Sequence, residues 1–284
     1  MNQAKIKPGD KVQGKIQTLA FGGSGILRLD NFVIFVPFTA PDDEIIAKIT
    51  QVKKGFAFAE IDTFIKKSPL RTTPKCPYFG ICKGCQLQHL KYDAQLESKR
   101  HAVSDALSRI GKMEFPPATI TGSDQEYFYR ERIELNIEAH EFEYKVGYMG
   151  KNGILEVDVC PIFIHLDNPI IKEVRTLIKK LDFIKSNEGR VQILKDKNKG
   201  FIVYIELKKI PKNADQIIQE LKSELIVGIE IGNGDISSQK GSDTVISDVN
   251  GLKIEYSPQV FIQNNFSQSI HIYNEIIKLT KGKA

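Results

Sequence analysis

The segment GILRLDNFVIFV (residues 25–36) contains two short apolar runs, Gly25–Leu29 and Phe32–Val36. Runs of this length, bounded by turn residues, are typical of β-strands. Two more runs of this kind lie at residues 45–49 and 56–61, and residues 11–16 alternate as in a half-buried strand. Five short strands between residues 7 and 63 predict a small closed barrel of the oligonucleotide-binding (OB-like) type.

A glycine-rich turn, Gly22-Gly23-Ser24-Gly25, precedes the first of these runs. Such a turn resembles a phosphate-binding loop, but phosphate loops lead into the N-terminus of a helix. Here a strand follows, so the dinucleotide interpretation fails. The turn is therefore predicted to be a plain hairpin connection in which glycines supply positive φ angles.

Three prolines, Pro69, Pro74 and Pro77, indicate a boundary near residue 65. Beyond it, helical and strand patterns alternate, which predicts an α+β domain. The predicted elements are a helix at 93–110, paired strands at 131–137 and 144–149, an amphipathic helix at 170–181, a hairpin of 191–194 with 201–205, a helix at 214–225, a strand at 226–231 and a closing helix at 267–279. The predicted organisation is a barrel at 1–65, a central α+β domain at 66–255 and a linking segment at 256–284.

The composition excludes several classes of protein. The 284 residues are 41% hydrophobic and 26% charged, enough apolar sequence to bury a core. No stretch approaches the roughly 18–20 apolar residues that a membrane-spanning helix needs. The first five residues lead into polar sequence without the apolar core of a signal peptide. We therefore predict a soluble, cytoplasmic, monomeric protein without a membrane partner.

The net charge of +5 is unevenly distributed. Ten Lys and Arg residues and three acidic residues lie between Lys66 and Lys112, so this basic block carries +7 and the rest of the chain −2. Concentrated positive charge is typical of a surface that binds a phosphate backbone. A solvated face is an equally good explanation of the charge alone.

The four cysteines form one pattern, Cys76-x5-Cys82-x2-Cys85 followed far downstream by Cys160. Four thiolates can ligate a tetrahedral zinc ion or an iron–sulfur cluster. Zinc ribbons more often use two Cys-x-x-Cys pairs, whereas three clustered cysteines with adjacent prolines favour a [4Fe-4S] cluster. Spacing alone leaves zinc open, and the bland alternative is four small core residues.

Two further clusters carry aromatic, arginine or amide side chains. The run YFYRER (residues 127–132) suits base stacking and phosphate contact, although an edge strand with inward aromatics explains it equally well. The run FIQNNF (residues 261–266) precedes the closing helix. Its amides could hold a polar ligand, but helix capping is the favoured interpretation.

Together these motifs resemble the S-adenosylmethionine-dependent RNA uracil-5-methyltransferases, in particular the branch that modifies 23S rRNA. Residues 7–63 are similar to the TRAM domain of that family, and CPYFGICKGCQLQH (residues 76–89) is similar to its cluster motif, with Lys83 in place of an expected glycine. Further similar segments follow in the same order along the chain: residues 129–132, 146–148, 157–161 and 258–265.

The resemblance implies specific roles. Cys76, Cys82, Cys85 and Cys160 would bind a [4Fe-4S] cluster, and Gln263 would contact S-adenosylmethionine. Phe261 and Arg132 would lie near the target base and bind RNA, and Arg130 would also be an RNA-binding residue. The barrel and the basic block would bind RNA, most specifically 23S rRNA.

Members of that family continue into a Rossmann-like methyltransferase domain with a nucleophilic cysteine, and those motifs do not occur before Ala284. The sequence therefore predicts an RNA-binding, cluster-bearing portion that is inactive alone and uses S-adenosylmethionine only with a separately encoded catalytic polypeptide. No catalytic residue is predicted in this chain. The competing predictions are a stand-alone, non-catalytic RNA-binding protein with a structural cluster and, less favoured, an electron-transfer protein.

Overall fold

The β-strands and helices were assigned in a computed structural model that describes residues 6–116, 119–196, 199–235, 237–249 and 251–280. The chain divides into two units, residues 1–122 and 123–284. Within the described residues, no helix is long and apolar enough to cross a membrane.

The first unit begins with a five-stranded barrel, as the sequence predicts. Its strands close in the order β1-β2-β3-β5-β4. Their bounds are β1 Lys11–Leu19, β2 Gly25–Leu29, β3 Phe32–Val36, β4 Glu44–Lys53 and β5 Phe56–Lys66. Only the β3–β5 pair is parallel, and it closes the barrel with Val33 opposite Phe56.

Alternation along the strands fills the barrel interior. In β3, Ile34 and Val36 are buried, and in β5 the small residues Ala57 and Ala59 point inward. Successive side chains of a strand face opposite sides, so every second residue of these strands faces outward. The core consists of Ile16, Leu27, Ile34, Val36, Ile45, Ala47, Ile49, Ala57 and Ala59.

Strand β5 is followed by a turn-rich segment, residues 67–91, which contains the three clustered cysteines and is here called the cysteine segment. Helix α1, Tyr92–Asp105, comes next. The helix continues as a π-helical turn, Ala106–Ile110. The predicted helix is confirmed, but none of its residues is fully buried. Val103 is 51% and Ile110 81% exposed, because neighbouring elements of the unit leave that side uncovered.

The second unit contains a seven-stranded sheet in the order β12-β11-β10-β9-β6-β7-β8. All neighbours in it are antiparallel except β10 and β11, which are joined through helix α3. The strands are β6 Arg132–His140, β7 Glu143–Gly150, β8 Gly153–Leu155, β9 Glu188–Asp196, β10 Gly200–Leu207, β11 Ile226–Gly232 and β12 Ser237–Gly241. The α+β class is therefore confirmed.

Helix α2, Ile170–Ile178, buries the apolar face that its sequence predicts. Helix α3 is Ala214–Glu220, five residues shorter than predicted at its C-terminal end. A two-stranded hairpin of β13 (Val245–Val249) and β14 (Leu252–Tyr256) leads to helix α4, Phe266–Thr280. The closing helix is thus where the sequence predicts it.

The division of the chain after Gly122 differs from the predicted domain boundaries at residues 65/66 and 255/256. The cysteine segment and α1 belong to the same unit as the barrel because they pack against it. The three-part domain organisation stays a prediction of the sequence.

Candidate functional site

The segment Pro258–Asn265, here called the strap, is fastened to the start of β6. The guanidinium of Arg132 donates from Nη1 to the carbonyl oxygens of Pro258 and Val260, both at 2.7 Å. Partial burial lowers the pKa of Arg132, and neighbouring Arg130 and Arg190 act in the same direction. Arg132 stays charged, because the ordinary pKa of arginine lies far above neutral pH. Each of its bonds to a carbonyl oxygen is therefore charge-assisted.

The far end of the strap is held by Arg130. Its backbone forms an isolated antiparallel bridge with Asn265, and Glu131 N donates to Asn264 O at 3.1 Å. The Asn264 amide, oriented by its surroundings, accepts from Arg130 Nη2 at 2.9 Å and donates to Arg132 O at 3.2 Å. Both arginines therefore bind the strap itself.

Asn265 caps helix α4. Its Oδ1 accepts from Gln268 N at 3.2 Å and from Ser267 Oγ at 2.9 Å. A side-chain oxygen on these groups satisfies a donor that lacks an intrahelical partner. The capping interpretation of the amide-rich run is confirmed for Asn265.

Side chains alternate along the strap. Ile262 packs on a buried cluster of Leu194, Ile202 and Val245. Phe261 is 78% exposed and Gln263 is also exposed. Phe261 and Gln263, which the sequence predicts to meet RNA and S-adenosylmethionine, are therefore both accessible to solvent.

In the run 127–132, the ring of Phe128 packs against another residue of the second unit. Phe128 adopts a left-handed backbone conformation, with φ of 61°, and its ring stacks on His165 at 3.9 Å between centroids. Its N–H donates to Pro161 O at 2.9 Å, next to Cys160. For Phe128 the packing alternative is therefore the better one.

The three clustered cysteines lie on a chain of tight turns. Cys82 N donates to Tyr78 O at 2.9 Å, and Gly84 N donates to the Cys82 Sγ at 3.3 Å. Burial raises the pKa of both Cys76 and Cys82, and proximity to the other thiols raises that of Cys76 further. The thiols are thus half-buried and within electrostatic range of one another.

This cysteine segment is docked onto the barrel. Arg71 pairs with Asp43 at 3.2 Å and also donates to Phe38 O. The rings of Phe38, Phe79 and His89 pack together, with centroids 5.3 to 6.4 Å apart. The fully buried Asp43 also accepts from two backbone N–H groups, so its charge is matched on all sides.

Sulfur ligands at this spacing have the donor chemistry that iron–sulfur clusters and zinc require. In the part of the chain that the structure describes, however, no three His, Cys, Asp or Glu side chains converge as a metal site. Cys76, Cys82 and Cys85 are not joined by disulfides. Cys160 is buried in the second unit. The four thiols have the donor chemistry of a cluster site, but the described residues do not bring them together as one.

The glycine turn before β2 is a hairpin connection, as predicted. Gly22 and Gly23 have φ angles of 91° and 88°. A Cβ at Gly23 would lie 2.8 Å from Leu87 Cδ2, so a larger residue there would also displace the end of the Leu87 side chain.

Residues 7–61 match the model of the TRAM domain. An uncharacterized RNA methyltransferase of Protochlamydia amoebophila is 37% identical over 95% of the chain and 63% of its own length. A 23S rRNA (uracil(1939)-C(5))-methyltransferase of Shewanella amazonensis is 28% identical over 93% of the chain and 61% of its own length.

Among solved structures, the tRNA (uracil-54, C5)-methyltransferase of Pyrococcus abyssi, crystallised with S-adenosyl-L-homocysteine, superimposes with a TM-score of 0.67. The match covers 94% of the chain and 65% of that protein at 24% identity, and shows a shared fold. The chain therefore spans less than two thirds of the length of each of these proteins.

These comparisons correct the prediction of an inactive portion that lacks a catalytic domain, and with it the alternative of a non-catalytic RNA-binding protein. Likeness to methyltransferases extends over 94–95% of the chain instead of stopping at an RNA-binding module. The prediction relied on where the sequence stops, and that point carries no information about activity. The separately encoded catalytic polypeptide has no support either.

Sequence reasoning missed the internal partners of the site. The bonds from Arg132 to the carbonyls of Pro258 and Val260 join residues more than 120 positions apart. Backbone acceptors have no sequence signature. The one available signal was the spacing of Phe261 and Gln263, because residues two positions apart in an extended segment share a side.

Proposed function

We propose that this chain serves the S-adenosylmethionine-dependent methylation of uracil C5 in RNA, with 23S rRNA as the substrate. The observation that carries the proposal is the 37% identity to an RNA methyltransferase over 95% of the chain. The likeness to a 23S rRNA uracil-C5 methyltransferase supports the choice of RNA and of base. In this reaction the sulfonium methyl group passes to C5, a proton leaves C5, and S-adenosylhomocysteine is released.

In this proposal the strap presents Phe261 to the RNA and Gln263 to S-adenosylmethionine. Their exposure and the bracing of the strap at both ends support this assignment. Arg130 and Arg132, which the sequence predicts to bind RNA, act mainly as positioning residues here. Their guanidinium groups are engaged with the strap, and rigid positioning is what aligns reacting groups.

The TRAM barrel and the basic block supply the affinity for RNA. Eight of the ten basic side chains between Lys66 and Lys112 are exposed, and only Arg71 and Arg100 are partly covered. Exposed cations release counterions when they meet phosphates, so this block strengthens binding without selecting a sequence. Such an activity belongs in the cytoplasm, where ribosomes are made.

We further propose that Cys76, Cys82, Cys85 and Cys160 hold a [4Fe-4S] cluster. Support comes from the spacing, the soft sulfur donors and the mutual influence of the three half-buried thiols. The cluster would tie residue 160 to the loop at 76–85, closing a long stretch of chain. Its role in this proposal is structural, and no step of methyl transfer passes through it.

The function is tested by mapping 5-methyluridine in the RNA of the source organism with and without the gene. Deletion should remove methylation at one 23S rRNA uridine, and the wild-type gene should restore it. Phe261→Ala and Gln263→Ala should restore it poorly, whereas Phe142→Ala, which removes another exposed ring, should restore it fully. An unchanged pattern of 5-methyluridine after deletion would overturn the proposal.

The cluster is tested by iron and acid-labile sulfide content after anaerobic purification. About four of each per chain are expected, with loss of both in Cys82→Ser and a lower melting temperature. Lys83→Gly changes the same loop but keeps every cysteine, and it should retain the cluster. Stoichiometric zinc without sulfide, or an unchanged melting profile in Cys82→Ser, would exclude a structural [4Fe-4S] site.

A further inference from the structure

Three phenylalanines form one patch on the outside of the barrel. Phe35 of β3 and Phe56 and Phe58 of β5 are mutual neighbours, with ring centroids 5.5 to 5.8 Å apart. Phe58 is 38% exposed and the other two are half-buried. We call these three residues the phenylalanine platform.

The platform is not part of the barrel core. Strand alternation points Ile34 and Val36 of β3, and Ala57 and Ala59 of β5, into the interior. The parallel pairing sets Phe35 opposite Phe58 and Val33 opposite Phe56, so all these outer side chains share one face. Three adjacent aromatic rings on the solvent side of a small barrel exceed what filling its interior requires.

Cations flank the platform at one end. Arg28 of β2 lies opposite Val33, and Lys53 of β4 lies opposite Phe56. Both are exposed, and Lys54 follows in the adjoining hairpin turn. The exposed Asp30 is the acidic residue of the neighbouring β2–β3 turn, so this end of the face remains positive.

Aromatic rings beside lysine and arginine are the combination that single-stranded nucleic acid recognises. Bases stack on the rings, whatever their identity, and phosphates meet the cations. An apolar protein partner would be served equally by the rings but not by the positive border. Charge complementarity thus selects a polyanion that carries planar groups.

We propose that the phenylalanine platform is a base-stacking subsite for single-stranded RNA, with Arg28, Lys53 and Lys54 contacting its phosphates. The subsite lies on the barrel of the first unit, and it binds bases other than the one that is methylated. It rests on the proposed function only in taking RNA as the ligand.

The absence of tryptophan from the chain allows a direct test. Phe58→Trp places a single indole on the platform, and stacking of a base on it should quench its fluorescence. Titration with an oligouridine is expected to quench this variant strongly. A matched variant, Phe142→Trp, carries its indole on the exposed β6–β7 turn and should not be quenched.

An abasic oligonucleotide of equal length separates stacking from charge. It should bind more weakly and leave the fluorescence of Phe58→Trp unchanged. Phe58→Ala should weaken oligouridine binding about tenfold, in line with the loss of one stacked base. Melting temperatures of all variants check that the barrel is folded. If Phe58→Ala is unstable, Phe58→Leu replaces it as the variant that lacks the aromatic ring, provided that its melting temperature is unchanged.

The base-stacking proposal would be overturned if the abasic oligomer quenched Phe58→Trp equally. It would also be overturned if a folded Phe58→Ala bound oligouridine as tightly as the wild type. Concentration-dependent dimerisation that Phe58→Ala abolishes would assign the face to a second copy of the chain instead. These outcomes are distinguishable from failure of the proposed function, because 5-methyluridine mapping reports on methylation independently of oligouridine binding.

Discussion

At the scale of single residues, Arg132 matters most for the candidate site. Replacing it with alanine removes the donor that holds the carbonyls of Pro258 and Val260. Charge-assisted bonds of this kind contribute about 1.5–3 kcal/mol. The strap should then open more readily, and its amides should exchange with solvent about ten- to a hundredfold faster.

Hydrogen exchange of residues 258–265, measured by mass spectrometry, checks this expectation. Arg190→Ala is the control, since Arg190 pairs with Glu206 on the same sheet and donates nothing to the strap carbonyls. Unchanged exchange of the strap in Arg132→Ala would contradict the positioning role.

His89 predicts a pH dependence. Burial lowers its pKa, and Nε2 carries the proton because it faces the Thr39 carbonyl oxygen at 3.0 Å. The unfolded state then binds a proton at a higher pH than the folded state, so stability is complete above the ordinary histidine value and falls as pH drops through the interval below it. Melting temperatures from pH 8 to 5 should decline more for the wild type than for His89→Gln. If the melting temperatures of the wild type and His89→Gln declined in parallel, His89 would not be the cause of the pH dependence.

At the scale of elements, docking of the cysteine segment on the barrel depends on Asp43. Asp43→Asn replaces one charged acceptor with a donor that faces backbone N–H groups and Arg71. Loss of one partner of a buried ion pair destabilises proteins by about 3–5 kcal/mol. Arg71 is partly exposed, so we expect a value near the lower end, about 3 kcal/mol, in chemical denaturation.

The neighbouring Asp42 gives a matched control. It pairs with Lys15 at 2.7 Å, but both side chains are more than half exposed. Exposed pairs contribute about 0–1 kcal/mol, so Asp42→Asn should change little. Equal effects of the two substitutions would show that burial of the Asp43 pair is not the cause.

At the scale of the whole molecule, the basic block predicts how RNA binding responds to salt. For single strands the logarithm of affinity falls with the logarithm of salt concentration by about 0.7 per neutralised phosphate. Replacing the exposed Lys66 and Lys67 with glutamine should therefore lower the slope by up to about 1.4. Lys208→Gln with Lys212→Gln, in the second unit, is the control, and an unchanged slope in the first variant would argue against the basic block.

The sequence by itself determined the local elements. Short apolar or alternating runs predicted the barrel strands, and the spacing of Ile170, Ile171, Val174, Leu177 and Ile178 predicted the buried face of α2. Both patterns arise from backbone geometry, which repeats every few residues and is therefore written in the local sequence. The cysteine spacing and the run 258–265 were likewise readable, because each lies within one short segment.

Only the tertiary structure decided which side chains act on which. The strap is braced by arginines more than 120 residues away, Asp43 is buried beneath Arg71, and three phenylalanines from two strands share one face of the barrel. It also decided that α1 buries none of its residues fully and that the cysteine segment belongs with the barrel. Such contacts depend on strand order and chain reversal, and partners distant along the chain leave no periodic signal in one sequence.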